Sequence, residues 1–485
     1  MAEHAHVLGT HDKRNRLWPI ASAGLLIVCI AVWLAFKIPN GILTYPDELL
    51  TAERAREMLI LGRGSVHFNF HESFAKPPLQ YWLTTLTLPR FNNSSTAVRL
   101  WPLVYGVLTA VAVGWLAFLL DPKRPWLIPL AVAIYVSCPL FSTEASHALL
   151  DTGLTLFTTL AVCFAQLAQR HPAWWLGVAI ACWLGALQKI PIIFLIWMII
   201  VVIRLTTATE RPKSGWLIGS ALLAVALVLI WPLIQHAKYQ MPLIRAFAGD
   251  EPSVLFGEKR LGSRPYFEVL DGLLASGWAG GSFAIFAAVT FVFSRQHDLA
   301  KPVTEISILS LAIVVLSVVF NFRSVRYILP IVPCLSLVLA FFLCRLLEQS
   351  RKIRAGTIGF IVLFLLAGFI QAEIKMHHRG PDASNEKRVA QKLGELQREG
   401  VSTVLLRSTD DKKPLRSNAF YLFHGNLHFP VERRRLEEFG KDHPSRPAIG
   451  VCLARGFPRV QEVYPDAKIQ MALDQFICWE TAAPP

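Results

Sequence analysis

Apolar runs of roughly twenty residues recur along the chain between short charged breaks, each close to the length a helix needs to cross a hydrocarbon core about 30 Å thick. They lie near residues 17–36, 98–119, 126–142, 149–168, 173–188, 190–205, 216–235, 271–293, 303–320, 328–346 and 355–374. The pattern predicts eleven crossings, with the pair 173–188 and 190–205, split at Pro191, open to a re-entrant reading. An odd number places the two chain ends on opposite sides. Lys13, Arg14 and Arg16 precede the first run, and no small-residue cleavage site follows it, so the expectation is a retained signal anchor with its amino end in the cytoplasm. Each loop then assigned to the cytoplasm is basic: Lys123 and Arg124; Arg170; Arg204, Arg211 and Lys213; Arg295 and Lys301; Arg345, Arg351, Lys352 and Arg354.

Composition agrees with this pattern. Of 485 residues 53% are apolar and 17% charged, against about 25% charged in an average soluble chain. A collagen, a coiled coil, a disordered chain and a disulfide miniprotein are excluded. The formal net charge of +14 would suggest nucleic acid in a soluble protein, but here its distribution over loops accounts for it and no nucleic-acid partner is expected. The fold class is thus an α-helical polytopic membrane protein, with a transmembrane domain over 1–376 and a small soluble α/β domain over 377–485, expected on the outer, periplasmic side. In that tail, 386–400 is charge-rich, and 402–406, 448–453 and 468–471 read as strands. Cys452 and Cys478 would form a disulfide if the compartment is oxidising.

Two outer segments are long, 37–97 and 236–270. From Glu48 to Leu61 apolar positions (Leu49, Leu50, Ala52, Ala55, Met58, Leu59) alternate with charges (Glu53, Arg54, Arg56, Glu57) at helical spacing, predicting an amphipathic helix on the membrane surface. Val66, Phe68 and Phe70 alternate with polar residues as a short extended run, and Lys76 before Pro77-Pro78 is pushed out of helical geometry. A second interfacial helix is expected over 79–88, with Tyr81 and Trp82 at headgroup level.

Ionisable groups at the ends of spans are candidates for function. Asp47, Glu48, Lys76, Glu144, His147, Asp151, Lys189 and Arg326 all fall on the outer side, predicting one outward cavity lined by acids and bases. Each has a plainer reading: Asp47 or Asp151 as a helix cap, and Lys76, Lys189 or Arg326 snorkelling to headgroups. Glu144, His147 and Asp151, or His67, His71 and Glu72, are the sets that a divalent cation could use.

The combination is more specific than its parts. Tyr45-Pro46-Asp47-Glu48, then Ala52 to Leu59, then Phe74-Ala75-Lys76-Pro77-Pro78-Leu79-Gln80-Tyr81-Trp82 resembles the first outer loop of the GT-C membrane glycosyltransferases, in the branch of the 4-amino-4-deoxy-L-arabinose lipid A transferases and the dolichyl-phosphate-mannose protein mannosyltransferases. Arg99-Leu100-Trp101-Pro102, Leu149-Leu150-Asp151-Thr152, Gln188-Lys189-Ile190-Pro191 and Arg326-Tyr327-Ile328-Leu329-Pro330 continue the likeness, which is strongest over 41–160.

The resemblance implies transfer of a sugar from a polyprenyl phosphate to lipid A, another envelope glycan or lipid, or a protein, at the outer face of a bacterial inner membrane. It implies Asp47 as the base on the acceptor, Glu48 beside it, and Asp151 as a second acid orienting the acceptor or Lys76. Lys76, Arg326 and Lys189 would hold the donor phosphate, with Tyr81 and Tyr327 lining the substrate. Relatives often carry Glu where Ala75 stands, a residue able to ligate metal, so no cofactor is carried over and a divalent metal stays the exception to test. The competing reading is a transporter or lipid flippase, but the chain shows no inverted repeat.

Overall fold

Proline places the main departure from straight helices. The computed structural model describes residues 2–39, 43, 46–74, 76–92, 94–207, 214–240, 280–293, 301–319, 325–377, 384–407, 431–441 and 447–481. In chain order its helices begin with α1 (Ala2–Lys37), α2 (Pro46–Leu61), α3 (Leu79–Thr87), α4 (Ser95–Leu120), α5 (Leu127–Val136) and α6 (Pro139–Ala145). Then come α7 (Asp151–Leu167), α8 (Trp174–Ala186), α9 (Ile190–Thr207), α10 (Ser214–Tyr239), α11 (Gly280–Phe293) and α12 (Lys301–Val319). The last are α13 (Val332–Leu347), α14 (Arg351–His377), α15 (Ser384–Leu396), α16 (Leu436–Phe439) and α17 (Phe457–Val463).

Among the described residues five helical stretches are long and apolar enough to span a membrane: Leu17–Lys37, Ser95–Leu120, Gly215–Tyr239, Arg326–Leu347 and Arg351–Met376. The expected run at 126–142 is instead a pair, α5 and α6, bent by 68°. Pro139 has no N–H to continue the ladder and forces Cys138 into extended geometry (φ −66°, ψ 118°). At that break α14 comes close: a Cβ on Gly368 would lie 2.4 Å from the Ser137 carbonyl oxygen, so only glycine fits. The expected runs at 149–168, 173–188, 190–205, 271–293 and 303–320 appear as shorter apolar helices, the fourth of them described only from Gly280. At 17 residues α7 is about 26 Å long, short of the hydrocarbon thickness. The run at 328–346 starts as a 3-10 segment, Val325–Ile331, before becoming α13. α13 is central, with 89% of its most apolar stretch buried; α14 is peripheral, with 17%.

The chain divides into two compact units, and the expected boundary at 376 falls two residues before the last change of unit, after 378. One unit holds 1–37, 74–80 and 101–378; the other joins 38–73 and 81–100 to 379–485, so most of the first outer loop clusters with the tail. Within that second unit, a sheet of order β4-β3-β5-β7-β6 is formed by β3 (Ser402–Arg407), β4 (Val431–Arg435), β5 (Ala448–Leu453), β6 (Lys468–Leu473) and β7 (Phe476–Glu480). β3 runs parallel to β4 and β5, whereas β7 is antiparallel to β5 and β6. One face packs Val389, Ala390 and Leu393 of α15, the other Phe439 of α16 and Phe457 and Val460 of α17. The expected disulfide is absent, because both cysteines are free thiols on opposite faces of this sheet. Cys452 pairs in register with Ile477, one position from Cys478, and pleating sends the two side chains into different cores.

The loop part of the unit also differs from the expected surface helix. In α2 the charged positions are buried along with the apolar ones: Glu48, Glu53, Arg54, Arg56 and Glu57 are at most 8% exposed. The short extended run is a hairpin of β1 (His67–Phe68) and β2 (His71–Glu72), turned at Asn69 and Phe70, both with positive φ (56° and 64°). Left-handed geometry is strained for a residue as bulky as phenylalanine, and Glu57 holds the turn by accepting the N–H groups of Asn69 (2.6 Å) and Phe70 (2.8 Å). Asn69 in turn spans to the tail: its Nδ2 donates to the Val431 carbonyl at 3.0 Å and its Oδ1 accepts the Val431 N–H at 2.6 Å, at the first residue of edge strand β4.

Candidate functional site

The acids and cations expected at one site divide between the two units. In the membrane unit, Asp151 opens α7 where the chain leaves the turn after α6, and Lys189 ends the turn between α8 and α9. Their side chains meet, Lys189 Nζ to Asp151 Oδ1 at 3.2 Å, both almost fully buried. Arg326, in the 3-10 segment ahead of α13, approaches the other carboxylate oxygen at 3.9 Å and keeps a quarter of its side chain exposed. Tyr327 completes the group: Lys189 Nζ lies 3.9 Å from its ring centroid and the Arg326 guanidinium carbon 5.7 Å. Among the described residues two cations here face one carboxylate, and burial magnifies the pull of such a pair on an anion. Asp151 thus lies between Lys189 and Arg326 and positions both.

The Lys76 segment is fastened to the same turn. The Leu79 N–H donates to the Leu187 carbonyl at 3.1 Å, and Gln188 Nε2 donates to Gln80 Oε1 at 3.4 Å. Next to this contact a Cβ at Gly153 would lie 2.1 Å from Gln188 Nε2, so glycine lets α7 approach the turn. Lys76 is half-buried, with Pro77 and Pro78 buried behind it.

In the second unit, Asp47 is half-buried in the first turn of α2, after Pro46 at the helix start. It is inside the helix, which argues against the capping reading. Glu48, expected beside Asp47, is engaged by an arginine. It is fully buried in a bidentate pair with Arg99, Nε to Oε1 at 2.8 Å and Nη2 to Oε2 at 3.2 Å, and Arg99 also reaches the Ile38 carbonyl at 3.2 Å. Its work is to fix the turn that carries Asp47. Tyr81 is 1% exposed, and its hydroxyl accepts from Arg54 Nη1 at 2.7 Å. Burial raises its phenol pKa, Arg54 opposes this, and Asp47 is close enough to contribute to the rise.

Neither expected metal set forms. α6 ends at Ala145 and α7 begins at Asp151, so Glu144, His147 and Asp151 share no helix face, and His147 Nδ1 bonds the Thr143 carbonyl at 2.5 Å. His67 pairs across the ribbon with Glu72, and His71 with Phe68, which puts the two histidines on opposite faces. Among the described residues no three of His, Cys, Asp and Glu gather to hold an ion. The segment 256–266 of the second outer loop lies outside the described residues.

Arg99, Arg54, Glu57 and Asn69 went unrecognised as site-supporting residues in the sequence. Arg99 alone left a signal, as a charge at the start of an apolar run. Glu57 carries a testable consequence. Burial, with the neighbouring Glu53 carboxylate, raises its pKa from 4.5 to about 7, against the pull of the Phe70 and Asn69 N–H groups. The folded state then binds more protons than the unfolded state between those values, so this contribution is full below 4.5 and is lost as pH rises through about 7. Thermal unfolding of the purified protein across that range is expected to show a falling melting temperature, and a flatter profile in Glu57→Gln.

The sequence model of the dolichyl-phosphate-mannose-protein mannosyltransferase family matches residues 57–238. The undecaprenyl phosphate-alpha-4-amino-4-deoxy-L-arabinose arabinosyl transferase of Edwardsiella ictaluri is 30% identical over 286 residues, which cover 54% of this chain and 51% of that protein. A second such transferase, from Sodalis glossinidius, is 36% identical over 174 residues, 34% of this chain and 32% of that one. The chain spans about half the length or less of these curated relatives. Among solved structures, ArnT from Cupriavidus metallidurans bound to undecaprenyl phosphate superposes with a TM-score of 0.73 at 15% identity, covering 95% of this chain and 99% of that one. The oligosaccharyltransferase AglB from Archaeoglobus fulgidus, in complex with an inhibitory peptide and a dolichol-phosphate, gives 0.56 at 12% identity over 80% and 62%. The helical architecture is that of these solved membrane proteins, and the sequence matches make the chain similar to the polyprenyl-phosphate-dependent GT-C glycosyltransferases over part of its length.

Proposed function

We propose that this protein transfers a sugar from a polyprenyl-phosphate-linked donor to an acceptor at the outer face of a bacterial inner membrane. The observation that carries this reading is the cation-rich cluster of Asp151, Lys189, Arg326 and Tyr327, with the Lys76 segment tied to the same turn. Such a cluster suits the one group every such donor must release, a lipid phosphate. The acceptor oxygen attacks the anomeric carbon as the bond from that carbon to the phosphate oxygen breaks; the acceptor proton passes to Asp47, and the polyprenyl phosphate leaves as an anion. Undecaprenyl-phosphate 4-amino-4-deoxy-L-arabinose is the donor to test first, on the names of the relatives, with lipid A as the first acceptor.

Lys76→Gln and Arg326→Gln are each expected to weaken donor use about tenfold or more while acceptor binding holds, since charge-assisted contacts to phosphate are lost. A donor titration in which both variants match the parent would refute the phosphate role and favour translocation of a lipid. With Ala75 in place of the relatives' glutamate, turnover is proposed to need no divalent metal. Activity that disappears with chelator and returns with one cation would overturn that. The amino end is assigned to the cytoplasm and the tail to the periplasm on the basic loops, which reporter fusions after Lys213 and Gly380 would check by reading on opposite sides.

A further inference from the structure

Between α13 and α14, with Phe283 of α11 also lining it, is an apolar cavity of about 310 Å³. Each helix gives it one stripe at helical spacing: Leu339, Phe342 and Leu346 on α13, and Ile353, Gly356 and Phe360 on α14. It opens at the periphery, where Ile353 and Phe283 are each 46% exposed, and α14 as a whole is little buried. Water is a poor occupant, because an ordered water needs two to four polar partners. The one hydroxyl in the lining, on Thr357, already donates to the Ile353 carbonyl at 2.8 Å. Hydrocarbon is the occupant that such a lining takes.

The charge at one end says which hydrocarbon. The groove runs up to the turn joining α13 to α14, and residues 345–354 contain Arg345, Arg351, Lys352 and Arg354 against the single acid Glu348. Glu348 is held by Arg124, whose Nε and Nη2 reach its two oxygens at 2.7 and 3.1 Å. Arg354 is fixed across the turn, Nε donating to the Leu347 carbonyl at 2.8 Å. Among the described residues Arg351 and Lys352 have no acidic partner. An aliphatic slot that ends at a cationic turn matches a lipid with an acyl chain and an anionic head.

We propose that this groove is a binding site for an anionic glycerophospholipid, with one acyl chain between α13 and α14 and its phosphate at the Arg345–Arg354 turn. The site is distinct from the Asp151–Lys189–Arg326 cluster: none of its lining or turn residues belongs to that cluster. It also stands whether or not the transferase reading does.

Gly356 offers a clean test, since it lines the groove and a Cβ there would meet nothing within 4 Å. The full-length protein in detergent, given equal phosphatidylglycerol and phosphatidylcholine, would be read by native mass spectrometry. The parent is expected to retain phosphatidylglycerol in preference. Gly356→Trp should lower its occupancy on the order of tenfold, and a triple Arg351→Gln, Lys352→Gln, Arg354→Gln variant should remove the preference by a similar factor. Equal retention of both lipids by the parent would overturn the proposal. So would unchanged occupancy in Gly356→Trp, or displacement of phosphatidylglycerol by an equal amount of a polyprenyl phosphate.

Discussion

Arg99→Met is expected to destabilise the protein by about 3–5 kcal/mol, because it leaves the Glu48 carboxylate buried without its counter-charge. Both partners are fully buried, the pair is bidentate, and Arg99 also bonds the Ile38 carbonyl, so one substitution takes a partner from two groups. A double change, Glu48→Met with Arg99→Met, removes both charges and should recover much of that loss. Denaturation of the purified variants measures this directly. If Arg99→Met melted with the parent, the pair would not be what fixes the first turn of α2.

The second large effect is on chemistry. Asp47→Asn is expected to lower turnover about 10²- to 10⁴-fold with donor affinity unchanged, since the amide cannot take the acceptor's proton. The variant should fold normally: it keeps the side chain's size, and the backbone carbonyl of residue 47, which accepts from Thr51 Oγ1 at 2.8 Å, is untouched. A steady-state comparison with matched expression separates the two roles. Full activity in Asp47→Asn would remove Asp47 from the reaction.

How far the sequence could be read follows from how local each cause is. The helical spans and the sheet strands are written in runs and alternation, short-range signals, whereas the 68° bend at Pro139 lies inside one continuous apolar run. Asp151, Lys189 and Arg326 were named by their position at span ends, and the structure brings them together. What escaped depends on partners far along the chain. The pairing of Glu48 depends on Arg99, 51 residues on. The charged face of α2 looked solvated because the hairpin, Tyr81 and Arg99 that cover it have no periodic signature there. The Asn69–Val431 link joins residues 362 apart and makes the outer loop part of the tail's unit, which composition alone could not show. Cys452 and Cys478 were separable only once the strand register was known.

The most direct test of the central claim is a reconstituted transfer. The full-length protein in lipid vesicles would be supplied with synthetic undecaprenyl-phosphate 4-amino-4-deoxy-L-arabinose and lipid A, and both products followed by mass spectrometry. One added sugar mass on the acceptor is expected for each undecaprenyl phosphate released, with both products formed about a hundredfold or more slowly in Asp47→Asn. Donor that crosses the vesicle membrane with its sugar still attached, and no acceptor gaining mass across a panel of lipid, glycan and protein acceptors, would contradict it.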